Sequence, residues 1–192
     1  MRRNSKVKKD FLIAAFVLLF LAVLLSGTKI QSVDEYYLTH IDDITKDTET
    51  VTISIRCDTV LKNWDKLERS LQKGDYIPKD GVILKETEYV LRPGDTAFDL
   101  LNRVTRYNKI QMEYQGANEN AFQSVYIQGI QYLYEFSCGP LSGWMYRVNG
   151  EFPNYGCSKY ILSNHDYIEF VYTCDLGRDI GGSFNRGDDK EK

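Results

Sequence analysis

Four cysteines, Cys57, Cys138, Cys157 and Cys174, and two histidines, His40 and His165, are the side chains of this 192-residue chain with the most chemistry to offer. A nucleophilic thiol needs a neighbouring base or another means of lowering its pKa. His165 falls in Ser163-Asn164-His165-Asp166, which reads as a turn between strands and places the imidazole at the surface. His40 with Asp42 and Asp43 is a short polar cluster without further metal-ligand spacing, so no metal site is expected there. The sequence contains no phosphate-binding glycine loop, serine elbow, zinc-helix signature or calcium loop, and its carboxylates are not paired around one candidate cleft. A binding or structural role is therefore expected, with no catalytic residue and no cofactor.

The aromatic block from Gly139 to Tyr172 is the second candidate. Its tyrosines and Trp144 surround Asn149-Gly150, a dipeptide that tolerates positive φ at both positions and marks a hairpin. Aromatic rings there can cover an apolar ligand or simply fill a core.

These residues need elements to hold them. Val51, Ile53, Ile55 and Cys57 alternate with polar residues and predict a half-buried strand. Leu61, Trp64, Leu67 and Leu71 recur at near-helical spacing before Gly74, which predicts a short amphipathic helix. VILKETEYVL reads as a strand ending at Pro93-Gly94. Thr96 then caps a helix through about residue 108, with Asp99 at the capping-box position and Phe98, Leu101 and Val104 on one face. KIQMEY, SVYIQGI, QYLYEF, WMYRV and YIEFVYT follow as strands, with EFPNYG beyond the Asn-Gly turn. The expected class is α+β and β-rich, a β-grasp-like sheet curled around the helix near 96–108, preceded by a single transmembrane helix.

The segment ahead of that domain is apolar without interruption from Phe11 to Leu25. Arg2, Arg3, Lys6, Lys8 and Lys9 precede it against Asp10, a local +4 that leaves −7 for the remainder of a chain whose total is −3. Small residues are missing at −3 for a cut after Ser26 or Gly27, which favours an uncleaved signal anchor over 11–27. The basic flank orients residues 1–10 to the cytoplasm and exports everything from about residue 28. The expected order is a stalk at 28–49, a domain at 50–180 and a tail at 181–192. The acidic remainder argues against nucleic acid as a partner. Arg186-Gly187-Asp188 is too short a match to carry weight.

Export permits disulfides. Four cysteines allow three pairings. If the first and last strands are neighbours, Cys57 and Cys174 at their ends come into reach, and Cys138 and Cys157 then bracket the hairpin.

Trp144 with the hairpin, Gly156, Tyr160 and the Glu169 strand together resemble the transcobalamin-like carboxy-terminal domain, in its branch of exported bacterial surface proteins. VLRPGDTAFDLLNRV and YIQGIQYLYEFSCGPLSGWMYRVNG extend the resemblance across roughly residues 50–180. The resemblance implies ligand contacts at Trp144, Met145 and Tyr146, with cobalamin as the ligand. The helical barrel that completes the vitamin carriers' site is absent from this chain, so capture would need a partner. A structural or adhesive surface domain is the alternative expectation.

Overall fold

The computed structural model describes residues 3–25, 36, 42–121 and 123–182. His40, most of the 28–49 segment and Arg186-Gly187-Asp188 lie outside the described residues. Contacts divide the chain into two units, Met1–Tyr36 and Tyr37–Lys192.

In the first unit, α1 (Arg3–Leu25) carries the apolar run. Phe11, Leu12, Phe16 and Leu18 on it are all exposed. Among the described residues no helix is long and apolar enough to cross a membrane. The uncharged part of α1, Phe11–Leu25, holds 15 residues, roughly 22 Å at the helical rise, against a hydrocarbon core of about 30 Å. Lys8, Lys9 and Asp10 stand directly before it. The transmembrane helix expected over 11–27 is thus not supported by the described part of that segment, and residues 26 and 27 lie outside the described residues.

The second unit is α+β and sheet-rich. Its strands are β1 (Thr50–Arg56), β2 (Val82–Val90), β3 (Met112–Gln115), β4 (Tyr126–Ile130), β5 (Leu133–Tyr134), β6 (Gly143–Val148) and β7 (Tyr167–Thr173). They form two sheets rather than the one curled sheet expected: a four-stranded sheet ordered β2-β1-β7-β6 and a three-stranded sheet ordered β3-β4-β5. β1 and β7, the first and last strands, are neighbours and run parallel, while β2 and β6 flank them antiparallel.

Alternation along β1 and β7 puts Val51, Ile53, Ile55, Ile168 and Phe170 into one core. The helix α4 (Ala97–Tyr107) closes that core with Ala97, Leu100, Leu101 and Val104. Its start is the capping box read from the sequence: Thr96 Oγ1 accepts from Asp99 N at 3.2 Å, and Asp99 Oδ2 accepts from Thr96 N at 3.0 Å. One residue earlier, buried Asp95 receives two hydrogen bonds from Arg103, at 3.0 and 2.7 Å, and a third from Arg92 N at 3.0 Å. Gly94 at φ +80 supplies the left-handed turn that brings Asp95 round to face them.

The helix expected to carry Leu61, Trp64, Leu67 and Leu71 up to Gly74 is broken into α2 (Asp58–Lys62), a 3₁₀ turn at Trp64–Lys66 and α3 (Arg69–Gln72). Leu67 is extended, and Glu68 N donates to Ser137 O at 2.9 Å instead of continuing a helical ladder. The break lets Leu67 and Leu71 reach a second core cluster with Cys57, Val60, Cys138, Tyr172 and Cys174, while Leu61 and Trp64 stay exposed. After Asn149-Gly150, at φ 52 and 85, the 151–156 segment makes a single bridge, Val148 with Glu151, and β6 takes β7 as its antiparallel partner.

Candidate ligand-binding site

β6 is an edge strand, and Trp144, Met145 and Tyr146 are successive residues on it. Successive side chains alternate between faces. Trp144 and Tyr146 turn towards the core, where Trp144 meets Tyr172 edge-on at 5.3 Å between ring centroids and Tyr146 stacks on Phe170 at 5.9 Å. Their polar tips are already used. Trp144 Nε1 donates to Leu133 O at 2.8 Å, and Tyr146 Oη donates to Tyr155 O at 2.6 Å. Burial also pushes the Tyr146 phenol well above its ordinary pKa. Met145 and Arg147 lie on the opposite face, where Arg147 forms an ion pair with Glu169.

The register with β7 has a further consequence for the edge. Asn149 N donates to Tyr167 O, which makes that pair hydrogen-bonded and, by antiparallel alternation, directs the backbone N–H and C=O of Trp144 and Tyr146 away from β7. Among the described residues no strand pairs with that edge.

Two cavities adjoin it. An apolar cleft of about 350 Å³ runs between β6 and the loops on either side, walled by Phe136, Leu141, Trp144, Met145 and Leu176 with Tyr126 at its rim. Phe136 and Leu176 are 60% and 52% exposed, an apolar pair left open to solvent. A smaller cavity of about 140 Å³ lies between β4 and β6 and shares Tyr126, Trp144 and Met145 with the first. Trp144 and Met145 thus border both cavities, whereas Tyr146 borders the small one. Leu141 lies in the 139–172 block without a site role of its own, Phe136 ends the expected strand QYLYEF, of which only Leu133–Tyr134 is a strand, and Leu176 belongs to a loop. The signal that could have found them was a large apolar residue beside glycine or proline in Phe136–Leu141 and after Cys174.

A polar cavity of about 220 Å³ is lined by Arg56, Asp58, Lys62, Arg147 and Asp179. Its arginines are paired, Arg56 with Asp58 at 3.1 Å and Arg147 with Glu169, and Asp179 accepts from Cys174 N at 2.8 Å. Among the described residues no three His, Cys, Asp or Glu side chains stand close enough to hold a metal ion.

The four cysteines are buried thiols. The expected Cys57–Cys174 and Cys138–Cys157 pairs are not formed. The β1–β7 register aligns Arg56 with Val171, so Cys57 falls opposite Tyr172 and Cys174 lies two residues further along. Cys157 belongs to the core under α4, and Cys138 to the other cluster. Burial pushes the Cys57, Cys157 and Cys174 thiols up to about 12. His165 is exposed in its turn, at φ 68.

Residues 94–173, from the turn before α4 to the end of β7, match a family described as a domain of unknown function (DUF4430). No curated protein matches the chain. Among solved structures, haptocorrin in complex with Cbi is similar at 15% identity and a TM-score of 0.44, over 70% of this chain and 27% of that one. A protein from Ruminococcus gnavus ATCC 29149, described as a candidate metal-binding protein, is similar at 10% identity and a TM-score of 0.38, over 65% and 96%. The chain spans about a quarter of the haptocorrin it is similar to.

Proposed function

We propose that this protein is a membrane-attached, exported binding module that holds an apolar or aromatic-faced small molecule against the open edge of β6. The observation that carries this reading is the apolar cleft beside Trp144, with Phe136, Leu141 and Leu176 left exposed around it. Because Trp144 and Tyr146 spend their polar groups internally, they offer ring faces, and the polar contacts of a ligand fall to the unpaired backbone of the edge. Such a site selects by shape and flatness.

The sequence resemblance of residues 50–180 to the transcobalamin-like carboxy-terminal domain of exported bacterial surface proteins makes cobalamin and related tetrapyrroles the ligand class to test first. A cleft of about 350 Å³ is at the small end of ligand sites. A corrinoid lying on it leaves one face bare, so a second surface, from a partner protein, would complete the site. No catalytic step is assigned to it. Attachment is assigned to residues 11–27, whose basic flank orients the remainder outward.

Tryptophan fluorescence tests the ligand reading directly. In the full chain with Trp64→Phe, Trp144 is the sole tryptophan, and cobalamin or haemin is expected to quench it saturably. Leu141→Asp, on the exposed wall of the cleft, is expected to weaken that quenching at least tenfold with an unchanged circular dichroism spectrum. Trp144→Ala is a poor probe, since Trp144 packs against both core clusters. Quenching that is linear in ligand concentration, or indifferent to Leu141→Asp, would leave the edge to the second reading. In that reading the open backbone of β6 accepts a strand from another surface protein.

A further inference from the structure

Cys138 lies in the loop between β5 and β6, and Cys174 follows directly on β7. Although 36 positions separate them, they belong to one buried cluster around Tyr172 and line the same cavity, with the Cys138 thiol directed to Asn63 O at 3.5 Å and the Cys174 thiol to Thr59 Oγ1 at 3.8 Å. The segments carrying them are already joined. Leu176 N donates to Leu141 O at 2.8 Å, Tyr172 Oη contacts Ser142 Oγ at 2.9 Å, and Cys138 N donates to that same Ser142 Oγ at 3.0 Å.

The other two cysteines are placed differently. The Cys57 thiol is acted on by the negative charges of Asp58 and Asp80, and the Cys157 thiol points to Val125 O at 3.9 Å.

We propose that Cys138 and Cys174 are a disulfide-forming pair, and that Cys57 and Cys157 stay reduced. An open cavity of about 370 Å³, lined by both cysteines with Asn63, Lys66 and Pro140, admits a small disulfide to the pair. Cys174, the more exposed residue of the two at 8% against 0%, is taken as the first to react. The oxidant is a low-molecular-weight disulfide, R–S–S–R. Cys174 gives up its proton to solvent, and its thiolate attacks one sulfur of the donor, forming a mixed disulfide as the donor S–S bond breaks and RS⁻ leaves. Cys138, deprotonated in turn, attacks Cys174 Sγ and expels the second RS⁻. The two protons end on the two leaving thiolates. The cysteine pair loses two electrons, and the donor gains them as two thiols.

The bond fixes the wall that carries Phe136 and Leu141 to the segment that carries Leu176, so the two sides of the apolar cleft are held at one separation. This goes beyond the binding reading and does not depend on it.

The test equilibrates the full chain, in detergent, with glutathione and glutathione disulfide, then denatures it without reductant, blocks free thiols with N-ethylmaleimide and maps the peptides by mass spectrometry. The expected map shows a Cys138–Cys174 linked peptide with label on Cys57 and Cys157 alone. Label on all four cysteines, or a link involving Cys57 or Cys157, would overturn the assignment. In Cys138→Ser, Cys174 is expected to become labelled. In Cys57→Ser the link is expected to persist, and its loss there would also overturn the assignment. The link forms in the folded chain during the equilibration, so the variants are compared only where their circular dichroism spectra match that of the unaltered chain, and the map of the unaltered chain carries the assignment. Because no ligand is present, failure here and failure of the binding reading are separate results.

Discussion

Cys57 and Cys157 lie under apolar side chains that keep water from their sulfurs, and burial pushes both thiols from 9.0 up to about 12. A thiol with a raised pKa binds its proton more tightly in the folded state than in the unfolded chain. Its contribution is fully present below pH 9 and is lost as pH rises towards 12. Each such thiol removes up to about 1.4 kcal/mol per pH unit in that window. Urea midpoints are therefore expected to fall from pH 9 upward and to fall less steeply in Cys157→Ala. Equal slopes for the two proteins would show that Cys157 does not titrate with unfolding. The same burial makes these thiols slow nucleophiles at neutral pH.

At the level of elements, α4 is the piece whose local signals and tertiary role agree. Thr96 starts it, Asp99 returns the capping bond, and its apolar face closes the core over β1 and β7. Its first turn is also pinned from outside, because Ala97 N donates to Tyr160 O and Leu162 N to Asp95 O, each at 2.9 Å. Thr96→Ala is expected to lower stability by about 1 kcal/mol, read as a shift in the urea midpoint. A loss near zero would mean that the outside bonds alone hold the helix start. The 59–71 segment shows the opposite relation. Its spacing is helical, yet the Glu68 N–H goes to Ser137 O, and the run splits so that Leu67 and Leu71 can be buried. Gly156 belongs to this level too: a Cβ there would stand 1.8 Å from Ser124 Oγ, a hydroxyl paired with Ser158 at 2.9 Å, so only glycine fits the approach.

For the whole molecule, the proposal joins an apolar amino-terminal segment to an α+β domain with an open sheet edge. If residues 11–27 attach the chain to a membrane, alkaline carbonate washing of membranes should leave the full chain in the pellet. Replacing Leu18 and Leu19 by lysine should release it, since two charges within a 15-residue apolar run cost several kcal/mol in hydrocarbon. Full release of the unaltered chain by carbonate would remove the membrane from the proposal. The binding face is separable from this attachment, because Phe136, Leu141 and Leu176 all belong to the second unit.

By itself the sequence determined what rests on neighbours along the chain. The alternation in β1 and β7, the capped start of α4, the positive-φ turn at Asn149-Gly150 and the exposed His165 turn are set by residues within a few positions of one another. Trp144, Met145 and Tyr146 are candidates through family resemblance alone, and the walls of the cleft beside Trp144 and Met145 come in part from loops distant in sequence. Tertiary structure decided what depends on register and distant packing. A two-residue offset between parallel strands takes Cys174 away from Cys57 and leaves it on the cavity that Cys138 also lines. The choice of β7 over the 151–156 segment as the partner of β6 places an unpaired edge beside the apolar loops. A local pattern specifies which face of a strand is buried. Which strand lies alongside, and at what offset, is fixed only when two cores close together.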